Sequence, residues 1–133
     1  MALLAACDAA SPPPGGSPPG TAGSSLIAIE GAACASPVPA TFAGRFAEQG
    51  YVAYRTCRGA VRNDGTDTVD ADIWVDALDA AGRPGGACRV TAGTLGPGAR
   101  REWEATCPVT RAEVGFAVRV TDAAGSPLPT RRP

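Results

Sequence analysis

The stretch VDADIWVDALD, residues 69–79, decides the fold. Val69, Ala71, Ile73, Val75 and Ala77 fall on one side of an extended chain, and Asp70, Asp72, Trp74, Asp76 and Leu78 fall on the other. Alternation of apolar and acidic residues at period two means a strand with one dry face and one wet face, which is the signature of an antiparallel sheet. Both ends carry turn chemistry. Asn63, Asp64 and Gly65 precede the stretch and tolerate the positive φ of a tight reversal, and Asp79-Ala80-Ala81-Gly82 closes it.

Working outward, the same period recurs. SLIAIE sets Leu26, Ala28 and Glu30 against Ile27 and Ile29, and YVAYRTCRGAVRN sets Cys57, Gly59 and Val61 against Arg58, Ala60 and Arg62. ACRVTAGTLGPGARREWEATC reads as two strands about a Leu95-Gly96-Pro97-Gly98 bend. A hairpin centred there places Cys88 opposite Cys107, Val90 opposite Ala105 and Ala92 opposite Trp103. VGFAVRVTD supplies Val114, Phe116, Val118 and Val120 to the core from a last long strand. The one helix candidate is TFAGRFAEQG, with Thr41 as cap, Phe42 and Phe46 four apart and Gly50 as terminator. Several short strands with frequent Gly and Pro turns predict an all-β fold, an immunoglobulin-like antiparallel β-sandwich over residues 26–133. Only 5% of the residues are aromatic, so the core is expected to be thin, anchored by Trp74, Trp103, Phe116 and Tyr51 or Tyr54, and in need of cross-links.

CRGAVRNDG, DAAG and LGPGARREW together resemble the FxLYD-type domain family. Its G-x-V-x-N strand and turn correspond to Gly59, Val61 and Asn63, its D-x-x-G turn to Asp79 and Gly82, and its L-x-P-G bend before an aromatic residue to Leu95, Pro97, Gly98 and Trp103. The naming motif departs, with Val75-Asp76-Ala77-Leu78-Asp79 in place of F-x-L-Y-D. The resemblance covers residues 55–121 and implies an immunoglobulin-like sandwich in bacterial extracytoplasmic proteins, often lipoproteins, without catalytic residues.

Five cysteines, none in a CxxC pair, read as disulfides and hence as an oxidising compartment. Setting Cys7 apart leaves four for two bridges. The hairpin register joins Cys88 to Cys107, and Cys34 to Cys57 follows by elimination. Leu4-Ala5-Ala6-Cys7 resembles the bacterial lipobox, whose cysteine is diacylated and becomes the mature N-terminus. Residues 1–25 then divide into a truncated lipoprotein signal and a disordered tether, SPPPGGSPPG, able to hold a domain up to roughly 50 Å from a membrane. The residues before Cys7 are too few for a basic n-region and an apolar h-region, so the lipobox reading expects more coding sequence upstream of Met1. No apolar run reaches the roughly 18 to 20 residues of a membrane-spanning helix. Membrane contact is thus expected through the lipid alone.

Histidine is absent, which excludes Ser-His and Cys-His nucleophile pairs and histidine metal ligands. The twelve basic residues are all arginine, and the net charge of −1 argues against a nucleic-acid partner. Arg100 with Arg101, and Arg131 with Arg132, read as isolated solvated pairs. Asp64, Asp67, Asp70 and Asp72 concentrate carboxylates as a calcium site would, though without the spacing of an EF-hand, and a polar turn leading into a wet strand face explains them too. Trp74 on the acidic face reads either as a stacking platform for a sugar or protein or as a residue packed beneath the segment from Ala35 to Gly50; the second is favoured. The expectation is a monomeric, non-catalytic cell-envelope lipoprotein with no cofactor, serving as an interaction or accessory module for an envelope protein or polysaccharide. The alternative is a calcium- or carbohydrate-binding domain.

Overall fold

The computed structural model describes residues 25–132; Cys7 and the Pro/Gly/Ser-rich stretch lie outside them. In chain order the elements are β1 (Ile27–Cys34), β2 (Val38–Pro39), α1 (Arg45–Glu48), β3 (Tyr51–Asn63), β4 (Val69–Asp79), β5 (Pro84–Leu95), β6 (Arg100–Thr110), β7 (Glu113–Asp122) and β8 (Thr130–Arg131). They form two sheets. In the first, β3 is central, with β6 along one edge and β1 followed by β2 along the other, and β8 adds to β1 in parallel. In the second, β4 is central between β5 and β7. β1-β3-β6 facing β5-β4-β7, with a last strand parallel to the first, is the strand arrangement of an immunoglobulin-like sandwich.

β4 behaves as its pattern demands. Ala71, Ile73, Val75 and Ala77 are buried, and the first three meet Ile27, Ile29, Cys57 and Val61 from the facing sheet in one apolar core. Trp103 is buried too, seated over Gly59, its register partner on β3. A Cβ at Gly59 would stand 2.9 Å from Trp103 Cζ2 and 3.1 Å from the backbone of Ala32, so glycine is required there by close approach. From the last long strand Val118 and Val120 are buried and Phe116 is partly so, but Val114 lies 66% exposed, a correction to its expected place in the core. The alternation starts only after the strand has passed the rim of the sandwich.

Two further expectations are corrected. The bend at Leu95-Gly96-Pro97-Gly98 is not a hairpin within one sheet: β5 pairs with β4, and β6 pairs with β3. Cys88, Val90, Ala92, Trp103, Ala105 and Cys107 all face inward, but from opposite sheets. The polypeptide crosses from one layer to the other there because Asn63, at the end of β3, captures it. Its backbone N–H donates to Ala99 O, its carbonyl accepts from Gly98 N–H at 2.7 Å, and its side-chain Nδ2 donates to Leu95 O. The helix is a single turn. Gly44, not Thr41, occupies the position before it, with no side-chain cap, and Gly50 at φ +85° ends it.

The tetrapeptide DAAG occurs twice and folds the same way twice. Asp79 Oδ1 accepts from the N–H groups of Ala81 and Arg83, and Asp122 Oδ1 accepts from those of Ala124 and Ser126, all at 2.9–3.0 Å. Gly82 and Gly125 sit at φ +80° and +90°. The carboxylate organises the reversal and glycine permits its left-handed residue.

Candidate functional site

The outer face of the β5-β4-β7 sheet is where the sequence concentrates chemistry. Trp74 is half-buried, in register with Arg89 on one neighbouring strand and Arg119 on the other. Their guanidinium carbons lie 5.4 and 4.7 Å from the indole centroid, within cation–π range. Each arginine is in turn held by a carboxylate. Arg119 makes a paired contact to Asp76 at 2.8 and 3.2 Å, and Arg89 lies 3.7 Å from Asp72. Indole Nε1–H donates to Thr121 Oγ1 at 3.0 Å. Trp74 is thus locked into a ladder spanning three strands. The segment from Ala35 to Gly50, expected above it, runs instead along the β3 edge of the other sheet. Guanidinium groups from both neighbouring strands occupy the surroundings of the ring that a stacked sugar would need.

The aspartates proposed for calcium do not converge. Asp64 is gripped by Arg62 at 2.6 Å and by Arg131 at 2.9 Å, which holds its carboxyl at about 2, below the ordinary carboxylate value. Asp70 accepts from Thr94 Oγ1 at 2.6 Å, and Asp72 is the partner of Arg89. Asp67 contributes its backbone carbonyl to Asn63 Nδ2. Among the described residues no group of three acidic or cysteine side chains is placed to hold a metal ion, and no helix is long and apolar enough to cross a membrane.

Asp64 belongs to a chain of alternating charge across the other sheet, Glu102–Arg100–Glu30–Arg62–Asp64–Arg131. It stitches β6, β1, β3 and β8 together. An open, shallow concavity of about 570 Å³ lies beside it, lined by Glu30, Arg58, Gly59, Arg100, Trp103 and Glu104. Its charges are paired internally, Glu30 with Arg62 and Arg100, and Arg58 with Glu104. The arginine pairs expected to be merely solvated are therefore engaged. Arg101 donates to the carbonyls of Ala92 and Thr94 on β5, and Arg132 to that of Val118 on β7. Buried Arg55 crosses between sheets to Gly115 O at 3.0 Å. β5 and β7 are edge strands, and guanidinium groups on their carbonyls blunt the templates that such edges offer to other chains.

Two disulfides complete the frame. Cys34 and Cys57 are register partners on β1 and β3, with Cα atoms 3.9 Å apart. Cys88 and Cys107 join the two sheets, with Cα atoms 5.9 Å apart. An aromatic group passed over by the sequence reading lies at the start of β3. Phe42 touches Tyr51, Tyr54 and Phe46 at ring-centroid distances of 5.8, 4.8 and 6.5 Å. The signal for it was present in the spacing of four aromatics over residues 42–54, but read as helix and core.

No protein-family model matches the chain, and no curated protein is significantly similar to it.

Proposed function

We propose that this protein is a non-catalytic lipoprotein of the cell envelope, held to a membrane through lipid on Cys7 and carrying one FxLYD-like, immunoglobulin-like module for interaction with an envelope component. The observation that carries this reading is the pair of disulfides, one within a sheet and one between sheets. Such bonds persist in oxidising compartments outside the cytoplasm. They account for four cysteines and leave Cys7, in its lipobox-like context and followed by a Pro/Gly/Ser tether, as the fifth. The charged side chains support the non-catalytic part, because Asp64, Asp70, Asp72 and Asp76 are each engaged by a neighbouring strand or turn. Carboxylates held in this way stabilise sheets and are poorly placed to move protons. The calcium or carbohydrate alternative draws no support from the arrangement of those aspartates or of Trp74.

Membrane fractionation of cells producing the native gene product tests the anchor. The wild-type protein is expected in the membrane fraction and in the detergent-rich phase on phase separation. A Cys7→Ala variant is expected to lose that partition while keeping its fold. Equal behaviour of the two proteins would remove the lipoprotein reading.

A further inference from the structure

Of the four large apolar side chains exposed among the described residues, three lie together. Val38, Phe46 and Tyr54 are 64%, 56% and 43% exposed. Val38 is the cross-strand partner of Tyr54, and Phe42 and Tyr51 fill the space between the rings. The patch sits at the start of β3, whereas the polypeptide enters the domain at Ile27, opposite Asn63 at the end of the same strand. Exposed apolar surface of this kind, confined to one place, marks a docking site.

We propose that this patch is the docking site for the chain's own proline-rich segment, residues 11–20, SPPPGGSPPG. Three observations choose that occupant. The first is chemical: proline-rich segments in polyproline II conformation bind surfaces lined by aromatic rings, and they are already extended before binding, so little conformational entropy is lost. The second is shape. The four neighbouring ring pairs are tilted by 43° to 49°, which leaves clefts between rings suited to pyrrolidine edges; a sugar stacks on a flat face. The third is reach. From Asn63 back to Tyr54 the strand covers about 30 Å. Pro12, Pro13 and Pro14 precede Ile27 by 13 to 15 residues, which is about 40 Å of polyproline chain. The segment can run back beside the sheet and lay its first prolines on the rings. Tethering raises the local concentration of such a segment to the order of millimolar, so a weak site suffices. The proposal does not depend on lipid at Cys7.

The test uses the full chain with Cys7→Ser, compared with the same chain carrying Ser at Pro12, Pro13, Pro14, Pro18 and Pro19. All of these substitutions precede Ser25 in the sequence. Proton NMR is expected to show nuclear Overhauser contacts from the ring protons of Pro12, Pro13, Pro14, Pro18 or Pro19 to the rings of Phe42, Phe46, Tyr51 or Tyr54. In the chain lacking those five prolines the contacts from the 12–19 segment vanish and the aromatic resonances shift, while any contacts from Pro37 and Pro39, which flank Val38 beside Tyr54, remain in both proteins. The contacts are expected to survive tenfold dilution, as an intramolecular contact must. Aromatic resonances identical in the two proteins would overturn the proposal. Contacts that disappear on dilution would overturn it in favour of a second copy as the occupant.

Discussion

Asn63 has no solvent exposure and spends its amide completely: Nδ2 donates to Asp67 O and Leu95 O, and Oδ1 accepts from Gly65 N–H. Two loops that never touch in sequence are joined through one side chain. Replacing it by Ala strands buried carbonyls, and each unsatisfied group costs about 1 to 3 kcal/mol, so Asn63→Ala is expected to lower unfolding stability in urea by about 2 to 4 kcal/mol. Asn63→Asp should do no better, since a carboxylate would face the same two carbonyls. Gly59→Ala is expected to cost about 1 to 3 kcal/mol by overpacking against Trp103 and the Ala32 backbone. Asp64 gives a pH dependence with a definite sign. Its folded-state value of about 2, lowered by the hydrogen bonds from Arg62 and Arg131, lies below the roughly 3.9 of an unfolded chain. Its contribution is therefore fully present above pH 4 and is lost as pH falls from 4 towards 2. Melting temperatures across that window should fall less steeply for Asp64→Asn than for the wild type. Asn63 and Asp64 were legible in the sequence as turn residues, but their distant partners were not, because Leu95 and Arg131 are brought near only by the fold.

At the scale of elements, what the sequence shows clearly is whatever depends on one segment. The alternation in residues 69–79 fixed the inward face of β4, and the carboxylate and glycine of DAAG fixed a turn. Pairing between segments was less visible. The bend at Leu95–Gly98 supports either a hairpin or a crossing between sheets, and the inward faces of β5 and β6 are the same in both cases. Only the hydrogen bonds of Asn63 to Gly98 and Ala99 select the crossing. The Cys88–Cys107 bond is the one expected, yet it staples two layers rather than two neighbours in a ladder. Paired Cys88→Ala and Cys107→Ala substitution should thus free the layers to separate, at a cost of about 2 to 4 kcal/mol in denaturant unfolding. The same reasoning explains Trp74. Its position on the wet face could be read, but its partners Arg89 and Arg119 come from strands on either side. Trp74→Ala is expected to destabilise by about 1 to 3 kcal/mol through the loss of packing and both cation–π contacts.

At the scale of the whole molecule, most charged side chains among the described residues are paired, as ladders across sheet faces and as caps on edge carbonyls, and the exposed aromatic side chains gather at the start of β3. A ligand bound only by the native state at a hundredfold its dissociation constant adds about 2.7 kcal/mol, worth several degrees in a domain of this size. Calcium, EDTA and cell-wall sugars should each leave the melting curve in place. The proposed anchor rests on a local lipobox-like motif and a cysteine count, which need no fold, whereas the aromatic end became visible only with β2, α1 and β3 placed together. The most direct measurement is the mass of the N-terminal peptide of the protein purified from the cells that naturally produce it. The account predicts a peptide that begins at Cys7 and carries a diacylglyceryl group on its sulfur. A peptide containing residues upstream of Cys7, with that thiol unmodified, would contradict it.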